Sequence, residues 1–148
     1  MKSRKPVIIL YADDDEEDRM LVEDGLEESR LANKLHFVKD GEELMDYLHR
    51  RGEYAHLCET PLPGIILLDL NMPKKDGREA LKEIKSDPAL RRIPVIVLTT
   101  SEAEEDIIRS YDLGANSYIT KPVTFESVVG IIQSLGKYWF ELVELPGS

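Results

Sequence analysis

The chain has 148 residues, of which 42% are hydrophobic and 32% are charged, and its formal net charge is −10. This length and composition favour a single globular domain with its own core. No apolar run approaches the roughly 20 residues that a membrane-spanning helix needs, and the acidic charge argues against nucleic acid as a partner. The single cysteine, Cys58, has no companion for a disulfide or a metal site, which is typical of a reducing cytoplasm.

Short aliphatic runs predict five strands that are buried on both faces. These strands are expected at residues 7–11, 36–38, 65–68, 94–98 and 116–120. Apolar residues at helical spacing predict a helix after each strand. The helices are expected at residues 15–31, 42–50, 77–86, 101–113 and 125–135. Residues 51–63 show no clear period, so we expect a long loop there.

Alternation of apolar strands with helices predicts an α/β fold, a doubly wound parallel sheet with helices on both faces. Such (βα)5 sheets, of the flavodoxin-like type, commonly have the strand order 2-1-3-4-5, which makes the first and third strands neighbours. Residues 1–148 are expected to form one domain, in which residues 1–5 are flexible and residues 136–148 form a carboxyl-terminal extension.

Polar residues follow the strands that this topology brings together. Asp13 and Asp14 follow the first strand, Asp69 the third, Thr99 the fourth and Lys121 the fifth. Each has an ordinary structural explanation on its own, such as capping a helix amino terminus. Those explanations do not account for polar groups from four strands at one edge of the sheet, which is where ligands bind in such folds.

These groups suit phosphoryl transfer, in which positioning and electrostatics provide most of the catalysis. Three crowded carboxylates repel each other unless a cation joins them, and Mg²⁺ is the hard cation that accompanies phosphate. The three acids and Lys121 leave a charge of −2, which one Mg²⁺ would neutralise. Asp69 has no acidic neighbour in the sequence and is the expected nucleophile.

The sequence resembles the receiver domains of bacterial two-component response regulators over nearly its whole length. The matching motifs are Asp13-Asp14, Asp69-Leu70-Asn71-Met72-Pro73 with Asp76-Gly77, Thr99-Thr100, Tyr118 and Lys121-Pro122. The resemblance implies that Asp69 accepts a phosphoryl group from a phosphohistidine of a partner histidine kinase. It also implies that Asp14, Asp69 and the backbone carbonyl of Asn71 bind Mg²⁺, with Asp13 acting through water.

The same resemblance implies roles for the remaining matching residues. Lys121 would contact the phosphoryl oxygens, and its bond to Pro122 is expected to be cis. Thr99 and Tyr118 would form the switch that remodels one face of the domain after phosphorylation. The protein would thus be a cytoplasmic phosphoacceptor signalling protein rather than an enzyme, and it would support its own phosphotransfer and dephosphorylation.

Within this family, residues 51–63 and 137–142 look like those of single-domain regulators that partner bacterial phytochromes. With no attached output domain, such a protein would signal by protein contact or by phosphorelay. The tail is rich in apolar residues, including Tyr138, Trp139 and Phe140. Exposed apolar patches with aromatic anchors favour an interface, so we expect a homodimer through the carboxyl-terminal segment, unless the tail folds back on its own domain.

Three other kinds of protein share part of this pattern. An aspartate-nucleophile phosphohydrolase would carry a second acid two residues after Asp69, where this chain has Asn71. A flavin-binding module would need a phosphate-binding loop after the first strand, and the acids there would repel phosphate. A pseudo-receiver, which acts as a scaffold without taking phosphate, remains the main alternative, although Asp14, Asp69 and Lys121 are all present.

Overall fold

The structure is a computed structural model that describes residues 8–28, 34–70, 72, 74–99, 114 and 117–120. Its strands form one parallel sheet in the order β2-β1-β3-β4-β5, which confirms the predicted topology. The strands are β1 Ile8–Ala12, β2 Lys34–Val38, β3 Ile65–Leu68, β4 Val95–Thr99 and β5 Ser117–Thr120. The described helices are α1 Glu16–Glu28, α2 Gly41–His49 and α3 Gly77–Ser86. The helices predicted at residues 101–113 and 125–135 lie outside the described residues.

Both faces of the sheet are buried along residues 9–12 of β1, 65–68 of β3 and 95–97 of β4, as the uninterrupted aliphatic runs predicted. Alternate strand residues on one face pack with α2 and α3 in a single apolar core. The strand residues in this core are Leu10, Ala12, Val38, Ile66, Leu68, Val95 and Val97. On the other face Tyr11 and Leu67 are also buried. There the guanidinium of Arg19 in α1 lies 5.7 Å from the ring centre of Phe37. No helix among the described residues is long and apolar enough to cross a bilayer.

Aspartates begin each of the described helices by accepting hydrogen bonds from backbone N–H groups that the helix leaves without partners. Asp15 accepts from the N–H of Glu17 at 2.9 Å, and Asp40 accepts from the N–H of Glu43 at 2.8 Å. Asp76 accepts from the N–H of Arg78 at 2.7 Å. The acids before α1 and α3 therefore have a structural role that is separate from the neighbouring Asp13 and Asp69.

The segment predicted as a plain loop at residues 51–63 contains a 3₁₀ helix, Gly52–Leu57. Arg50, the residue that follows α2, has a left-handed backbone with φ of 55°. Its guanidinium donates to the carbonyl oxygens of Tyr47, Thr60 and Pro61 at 2.7, 3.0 and 3.1 Å. One side chain therefore joins the end of α2 to the far end of the loop.

Three aromatic side chains pack between β2, α2 and the 3₁₀ helix. His36 stacks on Tyr47 with 4.6 Å between ring centres, and Tyr54 packs edge-on against both rings. The Tyr54 hydroxyl donates to Glu43 Oε2 at 3.1 Å. The Nε2 atom of His36 is buried, and none of the described residues forms a hydrogen bond with it. Burial lowers the pKa of His36, while the Glu43 carboxylate opposes this shift and Arg50 adds to it.

Candidate functional site

Strand register brings Asp13 and Asp69 side by side at the carboxyl edge of the sheet. Ala12 of β1 pairs with Leu68 of β3, so each aspartate is the next residue after a paired position. The N–H of Asp69 donates to the Ala12 carbonyl oxygen at 2.9 Å, and the N–H of Asp13 donates to the Val38 carbonyl oxygen at 3.0 Å. These hydrogen bonds to the sheet fix the backbone positions of Asp13 and Asp69, from which the two carboxylates extend.

Asp13, Asp14 and Asp69 form an acid cluster, and each offers one carboxylate oxygen that lies within 4.8 Å of the others. Asp13 is 0% exposed and Asp69 is 4% exposed, whereas Asp14 is open to solvent. Oxygen donors with this spacing and charge fit a hard divalent cation. The arrangement thus combines two buried carboxylates with a third that is exposed to solvent.

Asp13 is held from two directions. The hydroxyl of Tyr11, inside β1, donates to Asp13 Oδ2 at 2.6 Å, and the N–H of Asp15 donates to Asp13 Oδ1 at 2.8 Å. Burial raises the pKa of the Tyr11 phenol well above its ordinary value, and the negative charge of Asp13 raises it further. The phenol therefore keeps its proton and acts as the donor.

The segment that leads into α3, residues 74–77, ends very close to the end of β3. The N–H of Gly77 donates to the Leu70 carbonyl oxygen at 3.0 Å, and a Cβ at Gly77 would lie 2.6 Å from Leu70 Cα. Glycine is therefore needed for α3 to begin beside the residue that follows Asp69. Lys74, with φ of 63°, places its Nζ 3.7 Å from Asp40 Oδ2. This ion pair links the segment to the start of α2.

The structure places the other predicted site residues only in part. Thr99 is the last residue of β4 and pairs with Thr120, while Tyr118 pairs with Val97 inside β5. Asn71, Lys121 and the Lys121–Pro122 bond lie outside the described residues, so their predicted roles stay predictions. The described part of the site thus consists of the acid cluster and the backbone positions of the two predicted switch residues.

The hydrophobic pattern does not identify Tyr11 as a site residue, because the pattern shows it only as the last residue of an apolar strand. The signal was its spacing from the acid pair. Side chains two residues apart along an extended chain point to the same side, so a tyrosine two residues before Asp13 can reach its carboxylate. The 2.6 Å hydrogen bond between these side chains shows that it does.

Comparison with known proteins identifies the family. Residues 9–133 match the response regulator receiver domain. Response regulator Rcp1 of Synechocystis sp. is 44% identical over 147 residues, which cover 99% of this chain and 98% of Rcp1. The crystal structure of the Mn²⁺-bound form of Rcp1 matches at 45% identity with a TM-score of 0.86, covering 95% of this chain and 99% of that one.

The crystal structure of the phosphorylated cyanobacterial phytochrome response regulator RcpA is similarly close. It matches at 44% identity with a TM-score of 0.88 and covers 96% of this chain and 99% of that one. These similarities extend over nearly the whole chain. The chain belongs to the response regulator receiver domain family.

Proposed function

We propose that Asp69 accepts a phosphoryl group from a histidine kinase and that this protein signals through its phosphorylated form. The observation that carries the proposal is the nearly buried carboxylate of Asp69, fixed at the end of β3 within the acid cluster. In the reaction, a carboxylate oxygen of Asp69 forms a bond to phosphorus while the N–P bond of the phosphohistidine breaks. The electron pair of that bond returns to the imidazole of the kinase.

The acid cluster fits Mg²⁺, which we propose as the physiological cation. Its proposed ligands are Asp14, Asp69 and the backbone carbonyl of Asn71, with Asp13 acting through water. A bound divalent cation would relieve the repulsion among the carboxylates and offset the negative charge of the incoming phosphoryl oxygens. The carboxylates of Asp13, Asp14 and Asp69, with one oxygen of each lying within 4.8 Å of the others, support this assignment.

The roles proposed for Lys121, Thr99 and Tyr118 are supported by the positions of these residues in the sequence and relative to the strands. Lys121, directly after β5, would bind phosphoryl oxygens, and Thr99, at the carboxyl end of β4, would turn toward them. Tyr118 would then move and change the surface to which partner proteins bind. The same site would hydrolyse the aspartyl phosphate, which would limit the lifetime of the signal.

We further propose a bacterial phytochrome as the partner kinase, because RcpA, a phytochrome response regulator, is 44% identical to this chain. Signalling would then occur in the cytoplasm, by protein contact or by passing the phosphoryl group onward. The apolar carboxyl-terminal residues 136–148 support a homodimer. Sedimentation at micromolar concentration should give a dimer for the full chain and a monomer for a chain that ends at Gly136. Monomers for both chains would contradict the homodimer.

The direct test of the phosphoacceptor is labelling by acetyl phosphate with Mg²⁺, followed by intact-protein mass measurement. Wild type should gain one phosphoryl group in a form that is stable to acid and labile to base. Asp69→Asn should gain none, because an amide is not a nucleophile at this site. Glu79→Gln, which alters an exposed acid on α3, should be labelled like wild type.

The same experiment separates this function from that of a pseudo-receiver. If wild type, with native circular dichroism, takes no phosphoryl group from acetyl phosphate and binds no beryllofluoride, the scaffold function is the better explanation. Full labelling of Asp69→Asn would instead show that another residue accepts phosphate.

A further inference from the structure

None of the roles proposed above involves the hydrogen bond between Tyr11 and Asp13. Tyr11 lies in β1 with its side chain fully buried, and its hydroxyl donates to Asp13 Oδ2 at 2.6 Å. The acceptor is a carboxylate that is itself 0% exposed. Hydrogen bonds to an ionised acceptor are shorter and about twice as strong as those between neutral groups. The pair is therefore an energetically significant contact beside the acid cluster.

This contact restricts how Asp13 can turn. The other carboxylate oxygen, Oδ1, accepts from the N–H of Asp15 at 2.8 Å. Rotation of the Asp13 side chain would break both hydrogen bonds and leave a buried phenol without an acceptor, which is costly. Asp13 is therefore held in one orientation relative to Asp14 and Asp69.

We propose that Tyr11 is a positioning residue for divalent-metal binding: it fixes the Asp13 carboxylate so that the acid cluster is ready to receive a cation. This inference rests on the metal-dependent function proposed above. Tyr11 contacts neither the cation nor the phosphoryl group in this role. Removing a group that orients a metal ligand typically weakens metal binding by about 10- to 100-fold. Because Asp13 is proposed to act on the cation through water, we expect the lower end of this range, a loss of about tenfold, for Tyr11→Phe.

The competing explanation is that the phenol serves only the packing of β1. Tyr54 provides a matched control, because it too is a buried tyrosine whose hydroxyl donates to a carboxylate, Glu43 Oε2, at 3.1 Å. Tyr54→Phe removes the same atom and the same kind of hydrogen bond outside the acid cluster. If the role of Tyr11 is only structural, both variants should lose stability and neither should change metal affinity.

The experiment is a Mn²⁺ titration of the full chain followed by electron paramagnetic resonance, with Mg²⁺ as competitor. We expect the Kd for Mn²⁺ to rise about tenfold in Tyr11→Phe and to stay within about twofold of wild type in Tyr54→Phe. Unchanged affinity in folded Tyr11→Phe would overturn the inference while leaving the metal site intact. If wild type binds neither Mn²⁺ nor Mg²⁺, the proposal of a metal site at the acid cluster is itself wrong.

A kinetic readout separates positioning from a general loss of structure. The rate of labelling by acetyl phosphate should need about tenfold more Mg²⁺ to reach half its maximum in Tyr11→Phe. At saturating Mg²⁺ the rate should return to within about twofold of wild type, since Tyr11 acts only through the cation site. A plateau that remains far below wild type would contradict a role limited to metal binding.

A second pair of variants keeps the test available if Tyr11→Phe leaves the buried Asp13 charge too poorly solvated for stable folding. Asp13→Asn removes that charge, and Tyr11→Phe can then be added to it. Asp13→Asn should itself bind Mn²⁺ at least about tenfold more weakly than wild type, and wild-type affinity in this variant would overturn the inference. Because the phenol is proposed to act through the Asp13 carboxylate, the double variant should bind Mn²⁺ as Asp13→Asn does. A further tenfold loss in the double variant would show that Tyr11 affects the cation by another route.

Discussion

Replacing Asp14 by alanine should make the metal-free protein more stable. The carboxylate of Asp14 lies within 4.8 Å of those of Asp13 and Asp69, and each repulsion would be about 3.5 kcal/mol at an effective dielectric constant near 20. Asp14 is exposed, so water reduces each repulsion to about 1 kcal/mol. Loss of a favourable charge near the amino terminus of α1 opposes the gain by about 0.5 kcal/mol.

The expected net gain is about 1–2 kcal/mol in EDTA, which corresponds to a rise of about 2–8 °C in Tm for a chain of this size. In Mg²⁺, by contrast, wild type should be more stable than Asp14→Ala. At a concentration 100 times its Kd, a ligand that binds only the folded state adds about 2.7 kcal/mol, and Asp14→Ala should lack this stabilisation. Differential scanning calorimetry in EDTA and in Mg²⁺ measures both effects.

Two controls identify electrostatic repulsion as the cause. Glu23→Ala removes an exposed negative charge of α1 that is not part of the acid cluster, and it should change stability by less than about 0.5 kcal/mol. In about 1 M NaCl the Debye length falls to about 3 Å, so the advantage of Asp14→Ala in EDTA should shrink. A lower Tm for folded Asp14→Ala in EDTA, or an equal Mg²⁺ response in both proteins, would refute the reasoning.

Three further substitutions test the surroundings of the site. Gly77→Ala places a Cβ 2.6 Å from Leu70 Cα, and Gly41→Ala places one 2.6 Å from Lys75 Cβ, so each should cost about 1–3 kcal/mol in chemical unfolding. Only Gly77→Ala should slow the labelling of folded protein by acetyl phosphate, because its clash lies beside the phosphoacceptor. Equal slowing in Gly77→Ala and Gly41→Ala would count against this explanation. His36 has a lowered pKa, so it binds a proton more readily in the unfolded chain, and stability should fall as the pH drops below about 6.5. His36→Gln should lose less stability than wild type between pH 7.5 and 5.5 in urea unfolding, and parallel losses would contradict the assignment.

The sequence predicts the sheet well because the information is local. Each strand is an aliphatic run that can be buried on both faces, and the strands of the structure lie within about two residues of those predicted. The proximity of Asp13 and Asp69 follows in turn from strand order, since residues that end neighbouring parallel strands must meet. For these features, periodicity and topology are sufficient.

The loop after α2 could not be predicted in the same way. Its order depends on Arg50, which reaches the carbonyl oxygens of Thr60 and Pro61, and on Tyr54, which packs against His36 and Tyr47. None of these contacts produces a periodic signal within residues 51–63. Orientation within the acid cluster also depends on a side-chain hydrogen bond, from Tyr11 to Asp13, that hydrophobic pattern does not encode.

The Arg50 contacts have a consequence for recognition. An unstructured segment of this length would lose conformational entropy when a partner ordered it, and that loss would weaken binding. Here the guanidinium has already fixed both ends of the segment, and the buried ring of Tyr54 fixes its middle. A protein that docks on this loop therefore meets a preorganised surface, and its affinity reflects the contacts formed rather than the cost of ordering the chain.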